Sequence, residues 1–452
     1  MPYTNLLDIA SLAIKWARDR GADSAEVFVQ RRQGRRVDIL ANRISDTRYI
    51  DDVGIGVRVA LGKKVGFSYT TSLSPEKVKE AIELAINQAK VSPADKYWEG
   101  LPEPSTQYTT PRDIYSSELA DIDSKTLIDL VKEAIDFVRK EKNAILSRAG
   151  TSVFYEERAI ANTNGVEVED KGTHAIAVAS TIIKSDTLTT PAIFEYTSSR
   201  VEKPDLLSAV KKSLERAKLC TSVSKLDKPG KYSVVFTPKA VAELFSSTIF
   251  YALRGDNVVR GRSPYHGKIG EEITSKYLTV IDDGLLVGGD NSWRFDGEGV
   301  ATSRNVLVES GILRNFVFDT YWGKRIGLES TGNSVRRSYS QQPQPGYTNI
   351  VIEGGDSSLE DLLDGSVIVL YNLQGAHTAN SDTGEYSVLA NPGVIYKDGE
   401  PRGWLRGITV SGNIFEEVKK NISIVSREKE KAFPGIEAPW IRFDNIVVTP
   451  KA

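Results

Sequence analysis

The sequence predicts an α+β protein, with a duplicated helix–strands–helix N-terminal region followed by a largely antiparallel, β-rich C-terminal domain. With 452 residues, the chain is longer than a single core usually supports. In the first half, the order helix, strands, helix occurs twice. After residue 230, turn signals follow one another closely between short apolar segments. We therefore expect an N-terminal α+β domain at 1–222, with similar units at 1–92 and 120–222, and a C-terminal domain at 230–452.

The first unit begins with an amphipathic helix that we expect to run from Thr4 to Gly21. Apolar residues recur there along one stripe, and a glycine ends the pattern. Ser74 and Pro75 open the second helix of the unit, because proline at the first helical position lacks only an N–H that would be unpaired there. The strand-like segments between the two helices are SAEVFVQRR (24–32), RRVDIL (35–40) and VGIGVRVALGKKVGFSYT (53–70).

A connector that contains four prolines leads to the second unit. Its first helix is expected at 123–141, where the apolar residues again follow a helical period. Strands are expected within 151–183, with a reversal at the Asn164–Gly165 turn. The apolar pattern of 203–220 predicts the closing helix.

The C-terminal region begins with a strand at 231–238 and continues into a helix. We expect this helix to begin at Thr237 and Pro238 and to end at Gly255. The later segments read as strands between Gly- and Asp-containing turns, with one more helix at IFEEVKKNI. These strand segments are YLTVI, NVLVESG, TNIVIEGG, SVIVLY, GVIY, ITVSG and RFDNIVVTP.

Composition excludes several classes of protein. Lys and Arg total 58 and Asp and Glu total 60, so the chain lacks the basic excess that nucleic-acid binding requires. Cys220 is the only cysteine, so neither a disulfide framework nor a cysteine-based zinc site is expected. The N-terminus does not have the pattern of a signal peptide, and no apolar segment reaches the roughly 18 residues that span a bilayer. We expect a cytoplasmic protein that binds neither nucleic acid nor a membrane.

Compact catalytic motifs are absent from the sequence. Gly54-x-Gly56 lies inside a strand pattern and lacks the third glycine of a dinucleotide loop, and no Gly-x-Ser-x-Gly occurs. The three histidines have no second histidine three to five positions away, so nothing local predicts a zinc site. Surface carboxylates such as Glu298 and Asp382 would form an acid–base pair only if the fold brought them together.

The helix expected after Thr237 is amphipathic. Its polar side is expected to carry Ser246, Ser247, Phe250 and Tyr251. Unionised hydroxyls are poor zinc ligands, and the helix carries no base that would activate a serine. The pattern therefore favours packing over chemistry. The core stripe is Val241, Leu244, Phe245, Thr248, Ile249, Ala252 and Leu253, at i, i+3, i+4, i+7, i+8, i+11 and i+12.

From Leu244 onward the chain resembles the TldD/PmbA family, once called modulators of DNA gyrase. The resemblance extends over essentially the full length. It agrees with the α+β architecture predicted above and implies dimerisation through the C-terminal half. The matching stretches are RGDNVVRGRSPYHGKIGEEITSKYLTVIDDG, FDGEGVATSRNVLVESGIL, STGNSVRRSYSQQPQPGYTNIVIEGG, SDTGEYSV and ITVSGN.

The resemblance implies two branches that pair as a heterodimeric zinc-dependent protease acting on peptides and unfolded proteins. The TldD branch carries His-Glu-x-x-x-His on the helix before the Gly-Asp turn. In this chain those positions hold Ser246, Ser247 and Tyr251. A further cysteine ligand of that branch has no counterpart in KAFPGIEAPWIRF (431–443), and Cys220 lies in the other half. The chain is therefore similar to the PmbA branch, also called TldE, which lacks the metal site.

The resemblance leads us to expect no catalytic residue, no metal ligand and no cofactor in this chain, with zinc only in a TldD-like partner. The sequence does not identify the residues that contact a peptide. Gly354–Gly355 and Asp382–Gly384 are candidates, although both segments are more typical of plain turns. Two alternatives stay open: a stand-alone homodimeric peptide-binding protein, and an independent hydrolase with an unrecognised site.

Overall fold

The computed structural model describes residues 5–450 and confirms an α+β fold whose strands pair mostly in antiparallel fashion. In the first half, helices flank two groups of three strands. The elements are α1 (Leu6–Asp19), β1 (Ser24–Leu40), β2 (Arg43–Leu61), β3 (Lys64–Thr70), α2 (Pro75–Val91), α3 (Ser117–Ala120), α4 (Ser124–Arg139), β4 (Ala144–Asn162), β5 (Glu167–Ile183), β6 (Ile193–Ser199) and α5 (Leu206–Leu219).

These six strands form one sheet in the order β3-β2-β1-β4-β5-β6. Each unit contributes three neighbouring strands, and the first strands of the two units, β1 and β4, pair antiparallel in the middle. The four long helices pack on one face of this sheet. α1 and α2 cover one end of the face, and α4 and α5 cover the other.

Local capping positions the helices of the first unit. The side chain of Asn5 accepts a hydrogen bond from Asp8 N (2.9 Å), so α1 begins at Leu6. The expected start at Thr4 lies outside the described residues. Ser74 caps α2 and Pro75 occupies its first position, as the sequence predicts.

The second half is built around a 14-stranded sheet. β8 lies near its centre, between the antiparallel β22 and the parallel β15. The elements are β7 (Val223–Ser224), β8 (Gly230–Phe236), α6 (Pro238–Ser247), α7 (Ile249–Ala252), α8 (Gly255–Val259), β9 (Val280–Asp283), β10 (Arg304–Glu309), β11 (Ile312–Leu313), α9 (Thr320–Lys324), β12 (Ser334–Val335), β13 (Gln344–Pro345), β14 (Ile350–Ile352), α10 (Leu359–Leu362), β15 (Ser366–Leu370), β16 (Leu373–Gln374), a 3-10 turn (Ala376–Thr378), β17 (Glu385–Ala390), β18 (Gly393–Lys397), β19 (Glu400–Leu405), β20 (Ile408–Asn413), α11 (Ile414–Lys420), β21 (Ile422–Phe433) and β22 (Ile436–Thr449).

The helix expected at 237–255 begins as predicted but is interrupted. Thr237 caps α6, with Pro238 at the first position. At Thr248 the backbone leaves the helical region (φ −127°, ψ −83°), so α6 and α7 are separate helices. Gly255 does not end the helix but begins α8. The apolar stripe is buried as predicted, whereas Phe250, expected on the polar side, is also buried.

Two glycines and a tyrosine join the N-terminal sheet to the C-terminal half. A Cβ at Gly54 would overlap the ring of Tyr339, and one at Gly56 would overlap its carbonyl oxygen. Tyr339 Oη also donates a hydrogen bond to Asp52 Oδ1 (2.8 Å). The glycines predicted to lie in a strand therefore allow a loop of the second half to pack closely on β2.

Within the described residues, no helix is long and apolar enough to cross a bilayer.

Candidate functional site

The positions of Ser246, Ser247 and Tyr251 lie on either side of the break between α6 and α7. Ser246 is exposed, and Ser247 and Tyr251 are half-buried. The helices are held by the buried stripe described above, which packs in the main core of the second half. The three side chains therefore occupy a rigid part of the fold.

The hydroxyls around the break are bonded to their own helix. Ser246 Oγ donates to Ala242 O (2.6 Å), and Thr248 Oγ1 donates to Leu244 O (2.7 Å). Both bonds reach back four residues, a pattern that commonly bends helices. Within the described part of the chain, Ser246 donates to no side-chain base, so Ser246 does not form the serine–base pair of a nucleophile.

Three side chains that lie outside α7 donate hydrogen bonds to its backbone. Because α7 is short, its own turn satisfies only some of its carbonyl oxygens: Ile249 O accepts from Leu253 N (3.1 Å) and Tyr251 O from Arg254 N (3.3 Å). Each of the last three carbonyl oxygens of α7 accepts a bond from a side chain, which fixes the position of this turn. The bonds run from Tyr347 Oη to Phe250 O, from Asn257 Nδ2 to Tyr251 O (2.8 Å) and from Ser263 Oγ to Ala252 O (2.6 Å).

A buried carboxyl lies close to Tyr347. Asp282 accepts hydrogen bonds from Asn333 Nδ2 (2.5 Å), Thr348 N (2.7 Å) and Thr348 Oγ1 (2.9 Å). Burial raises the pKa of Asp282 to about 7. Burial, followed by the charge of Asp282, also raises the pKa of Tyr347 well above its ordinary value. Asp282, its hydrogen-bond partners and Tyr347 form a buried polar cluster beside α7. The sequence did not predict this cluster.

Glu243, on α6, is the carboxylate nearest in sequence to the two serines. Its Oε2 accepts a hydrogen bond from Leu373 N (2.6 Å), and burial raises its pKa to about 7. The carboxyl is therefore bonded to the backbone of β16 and not to a serine. The sequence analysis found no base on this helix and so overlooked Glu243, the one acidic residue of α6.

The side chains at the three family positions do not fit a zinc ion. They offer two alcohols and a phenol, whereas zinc prefers imidazole, thiolate and carboxylate. One of the alcohols, Ser246, already donates to a backbone carbonyl. Among residues 5–450, no group of three or more His, Cys, Asp and Glu side chains is arranged to hold a metal.

The histidines and the cysteine are also separated. His266 Nδ1 lies 3.0 Å from Val258 O, and His377 is exposed in the 3-10 turn. Burial, followed by the charge of Arg200, lowers the pKa of His174 well below its ordinary value. Cys220 is buried and free.

The pair of Glu298 and Asp382 is not formed. The sequence suggested that Glu298 is a surface carboxylate, but it is 1% exposed and accepts a hydrogen bond from Arg58 of the N-terminal sheet (2.8 Å). Asp382 lies on an exposed turn that is organised by Asn380. Sequence reasoning could not foresee the burial of Glu298, because its partner lies 240 residues away.

The glycine-rich segments that were candidates for peptide contact have structural roles. Gly355 N donates to Ser426 O (2.8 Å), and a Cβ at Gly354 would overlap the backbone of β21. Gly384 has a positive φ of 82° and packs against Phe415. Gly354–Gly355 is a close-packed irregular segment beside β21, and Asp382–Gly384 belongs to a turn.

A cleft with a volume of about 740 Å³ lies elsewhere. It opens on the sheet and includes the N-termini of α1 and α2. Both cationic and anionic side chains line it, among them Arg31, Glu157, Lys171 and Arg294. None of Ser246, Ser247 and Tyr251 lines this cleft.

Comparison with known proteins assigns the architecture to a family of metallopeptidases. The model of the PmbA/TldA metallopeptidase C-terminal domain matches residues 229–450. The models of domain 1 and of the central domain match residues 25–89 and 117–220.

Similar proteins cover nearly the whole chain. An uncharacterised protein of Methanocaldococcus jannaschii is 31% identical over 424 residues, which are 92% of this chain and 95% of the relative. A metalloprotease TldD homolog of Buchnera aphidicola is 25% identical, over 91% of this chain and 89% of the relative. The crystal structure of TldE from Thermococcus kodakarensis superposes with a TM-score of 0.92 at 31% identity, covering 98% of this chain and all of that one. The chain belongs to the PmbA/TldD family.

Proposed function

We propose that this chain is a non-catalytic, TldE-like subunit that pairs with a zinc-bearing, TldD-like subunit. The pair would form a metalloprotease that acts on peptides and unfolded proteins in the cytoplasm. One observation carries the proposal. The helix at the family's zinc position is kept in a rigid setting, while its side chains are Ser246, Ser247 and Tyr251, which do not fit zinc.

The support around this helix favours a retained structural role over loss of function. The bonds from Tyr347, Asn257 and Ser263 hold α7 in place although it carries no catalytic group. Buried polar bonds of this kind fix a unique backbone position. A subunit that shapes a shared cleft needs such a fixed surface. The likeness to TldE from Thermococcus kodakarensis supports the same assignment.

The proposal is tested by metal content and proteolysis, measured on the same preparations. The pure chain is assayed for zinc and for cleavage of an unfolded protein such as casein. It is then mixed with a family member that carries His-Glu-x-x-x-His, and the mixture is separated by size. We expect a chain without stoichiometric zinc and without activity, and an active complex that contains both chains.

Each alternative predicts a different result. A stand-alone peptide-binding protein would bind unfolded chain alone, and addition of the partner would change little. An independent hydrolase would cleave substrate alone and in the presence of a chelator. One zinc per molecule in the pure chain would contradict the proposal directly.

The variant Ser246→Ala separates the hydrolase alternative from the proposal. Ser246 Oγ bonds only to the backbone of its own helix, so its removal should leave the activity of the mixed complex within about twofold of wild type. A large loss of activity with unchanged complex formation would assign chemistry to this serine.

A further inference from the structure

The outer edge of β2 is open along the first part of the strand. β1 pairs with β2 from Arg43 to Ala60, but β3 pairs only with the last part of β2, from Ile55 to Leu61. In the described part of the chain, no strand pairs with the other side of 43–54. A long open edge is a template for another strand, and proteins usually block such an edge when it has no partner.

The side chains on this edge are exposed and carry both charges. Tyr49 is 60% exposed and Ile44 is 39% exposed, and both project from a segment with solvent on each face. The ladder to β1 shifts register beside Ser45, which has no partner there. The regular part of the open edge therefore begins at Asp46.

Charged side chains on this edge of β2 lie opposite side chains of the same charge on β1. Arg48 is the cross-strand partner of Arg36, and Asp46 is the partner of Asp38. Like charges directly opposite each other in a sheet are unfavourable. Among residues 5–450, the ion pairs of these four side chains run along each strand, where Arg36 Nε lies 2.8 Å from Asp38 and Arg48 pairs with Asp46.

The order of residues on the edge is self-complementary. In an antiparallel pair of two copies centred on Thr47, Asp46 of each copy lies opposite Arg48 of the other. Counted in the same register, Arg43 would face Asp51 and Ile44 would face Ile50, but these pairs lie beyond the irregularity at Ser45. A symmetric pair of copies uses the same patch twice, so each favourable contact occurs twice.

We infer that a second copy of this chain binds at the outer edge of β2, with Thr47 on the two-fold axis. The two six-stranded sheets then form one continuous antiparallel sheet. The second copy supplies the opposite charges that β1 does not supply to Asp46 and Arg48. This interface lies in the N-terminal sheet, so it is separate from the C-terminal pairing implied for a TldD-like partner, and it would join two such heterodimers.

Charge reversal with rescue tests the pairing. Arg48→Glu places a carboxylate opposite Asp46 of the other copy and should weaken self-association at least about tenfold, a change of about 1.4 kcal/mol. The double variant Asp46→Arg/Arg48→Glu restores the opposite charges and should restore association. Both changes place opposite charges across from Arg36 and Asp38, so the hairpin itself should fold at least as well as in wild type.

Arg139→Glu is the matched control. Arg139 is an exposed arginine with an aspartate neighbour, Asp136 (3.3 Å), but it lies on α4 and not on a sheet edge. Sedimentation velocity across a concentration series gives the association of the four proteins. Hydrogen exchange in the wild type should show protection of 46–50 that rises with concentration.

The expected result is equal association in the wild type, the control and the double variant, and association weaker by at least about tenfold for Arg48→Glu. A monomeric wild type at all concentrations would overturn the inference. So would a dimer that Arg48→Glu leaves unchanged, because its contact would then lie elsewhere. Failure of the double variant to recover would exclude pairing about Thr47.

Discussion

Arg58 on β2 and Glu298 in the second half form a buried ion pair, with Nη2 and Oε1 2.8 Å apart. The pair continues into the sheet. Arg58 Nη2 also lies 2.7 Å from Glu26 Oε2, and the other oxygen of Glu26 accepts from Arg336. These four charges, two of each sign, join the two halves of the chain at a place that water does not reach.

Glu298→Gln should destabilise the protein by about 3–5 kcal/mol, because it leaves the buried cluster with two positive charges, Arg58 and Arg336, and the single negative charge of Glu26. The amide retains the shape of the side chain, so the change isolates the charge. Urea unfolding measures the effect. Glu309→Gln is the control, since Glu309 pairs with Arg314 at the surface (2.9 Å) and should cost less than about 1 kcal/mol. Equal effects of the two variants would show that the buried pair contributes no more than a surface pair.

The carboxyls near this junction should make stability fall as the pH rises. Burial, followed by the charge of Glu298, raises the pKa of Asp296 to about 7 and that of Asp319 to about 8. A raised carboxyl pKa means that the folded state binds more protons than the unfolded state above about pH 4. The free energy of unfolding should therefore decrease between about pH 5 and pH 8 and then level off.

Asp319→Asn should flatten this pH profile. The amide stays neutral at all pH values and can still accept the capping bond from Trp322 N (2.8 Å). Urea midpoints at several pH values from about 5 to 8.5 measure the profile. Asp136→Asn, at an exposed position on α4, should leave the slope unchanged. A wild-type protein that gains stability across this range would contradict the assignment.

Gly56→Ala should loosen the contact between the two halves. The new Cβ would overlap the carbonyl oxygen of Tyr339, and backbone cannot move away as a side chain can. We expect a loss of stability of at least about 1–3 kcal/mol, typical of an overpacked site. Thermal unfolding provides the measurement. Gly230→Ala is the control, because its nearest neighbour is the side chain of Tyr232 at 3.3 Å. A smaller loss for Gly56→Ala than for the control would show that this contact is not tightly packed.

Tyr347→Phe should destabilise the protein by about 1–3 kcal/mol, because Phe250 O would lose its partner in a buried place. Tyr277→Phe is the control: it removes the same hydroxyl group from an exposed side chain and should leave the free energy of unfolding unchanged. If the helix must be held for assembly, Tyr347→Phe should also weaken the complex with a TldD-like partner. Unchanged stability would mean that the apolar stripe and the bonds from Asn257 and Ser263 hold α7 without the bond from Tyr347.

Short-range patterns predicted most of the helices and many of the strands. The Asn164–Gly165 turn and the Ser74–Pro75 helix start depend on backbone preferences that neighbouring residues determine. The interruption at Thr248 was missed because the apolar stripe continues through it without a change of period. The segments 24–32 and 35–40 were expected as two strands but form one, since β1 is paired on both sides through Gly34.

The candidate site was only partly predictable. Ser246, Ser247 and Tyr251 could be placed on a helix, because the apolar periodicity that predicts it lies in neighbouring residues of the sequence. The side chains that hold this helix could not be predicted, since Tyr347 is 97 residues away in sequence from Phe250, whose carbonyl oxygen it binds. The burial of Glu298 likewise depends on a strand of the other half.

The pairing of β1 with β4 also determines where the chain can be cut into fragments that still fold. The ladder joins Glu26 to Asn162 at one end and Leu40 to Arg148 at the other, so the boundary between the family's first two domains runs through a continuous sheet. A first domain expressed alone would expose the inner side of β1 and should aggregate. The fold should tolerate a cut in the connector between α2 and α3, because the hydrogen bonds between β1 and β4 would keep the two fragments together.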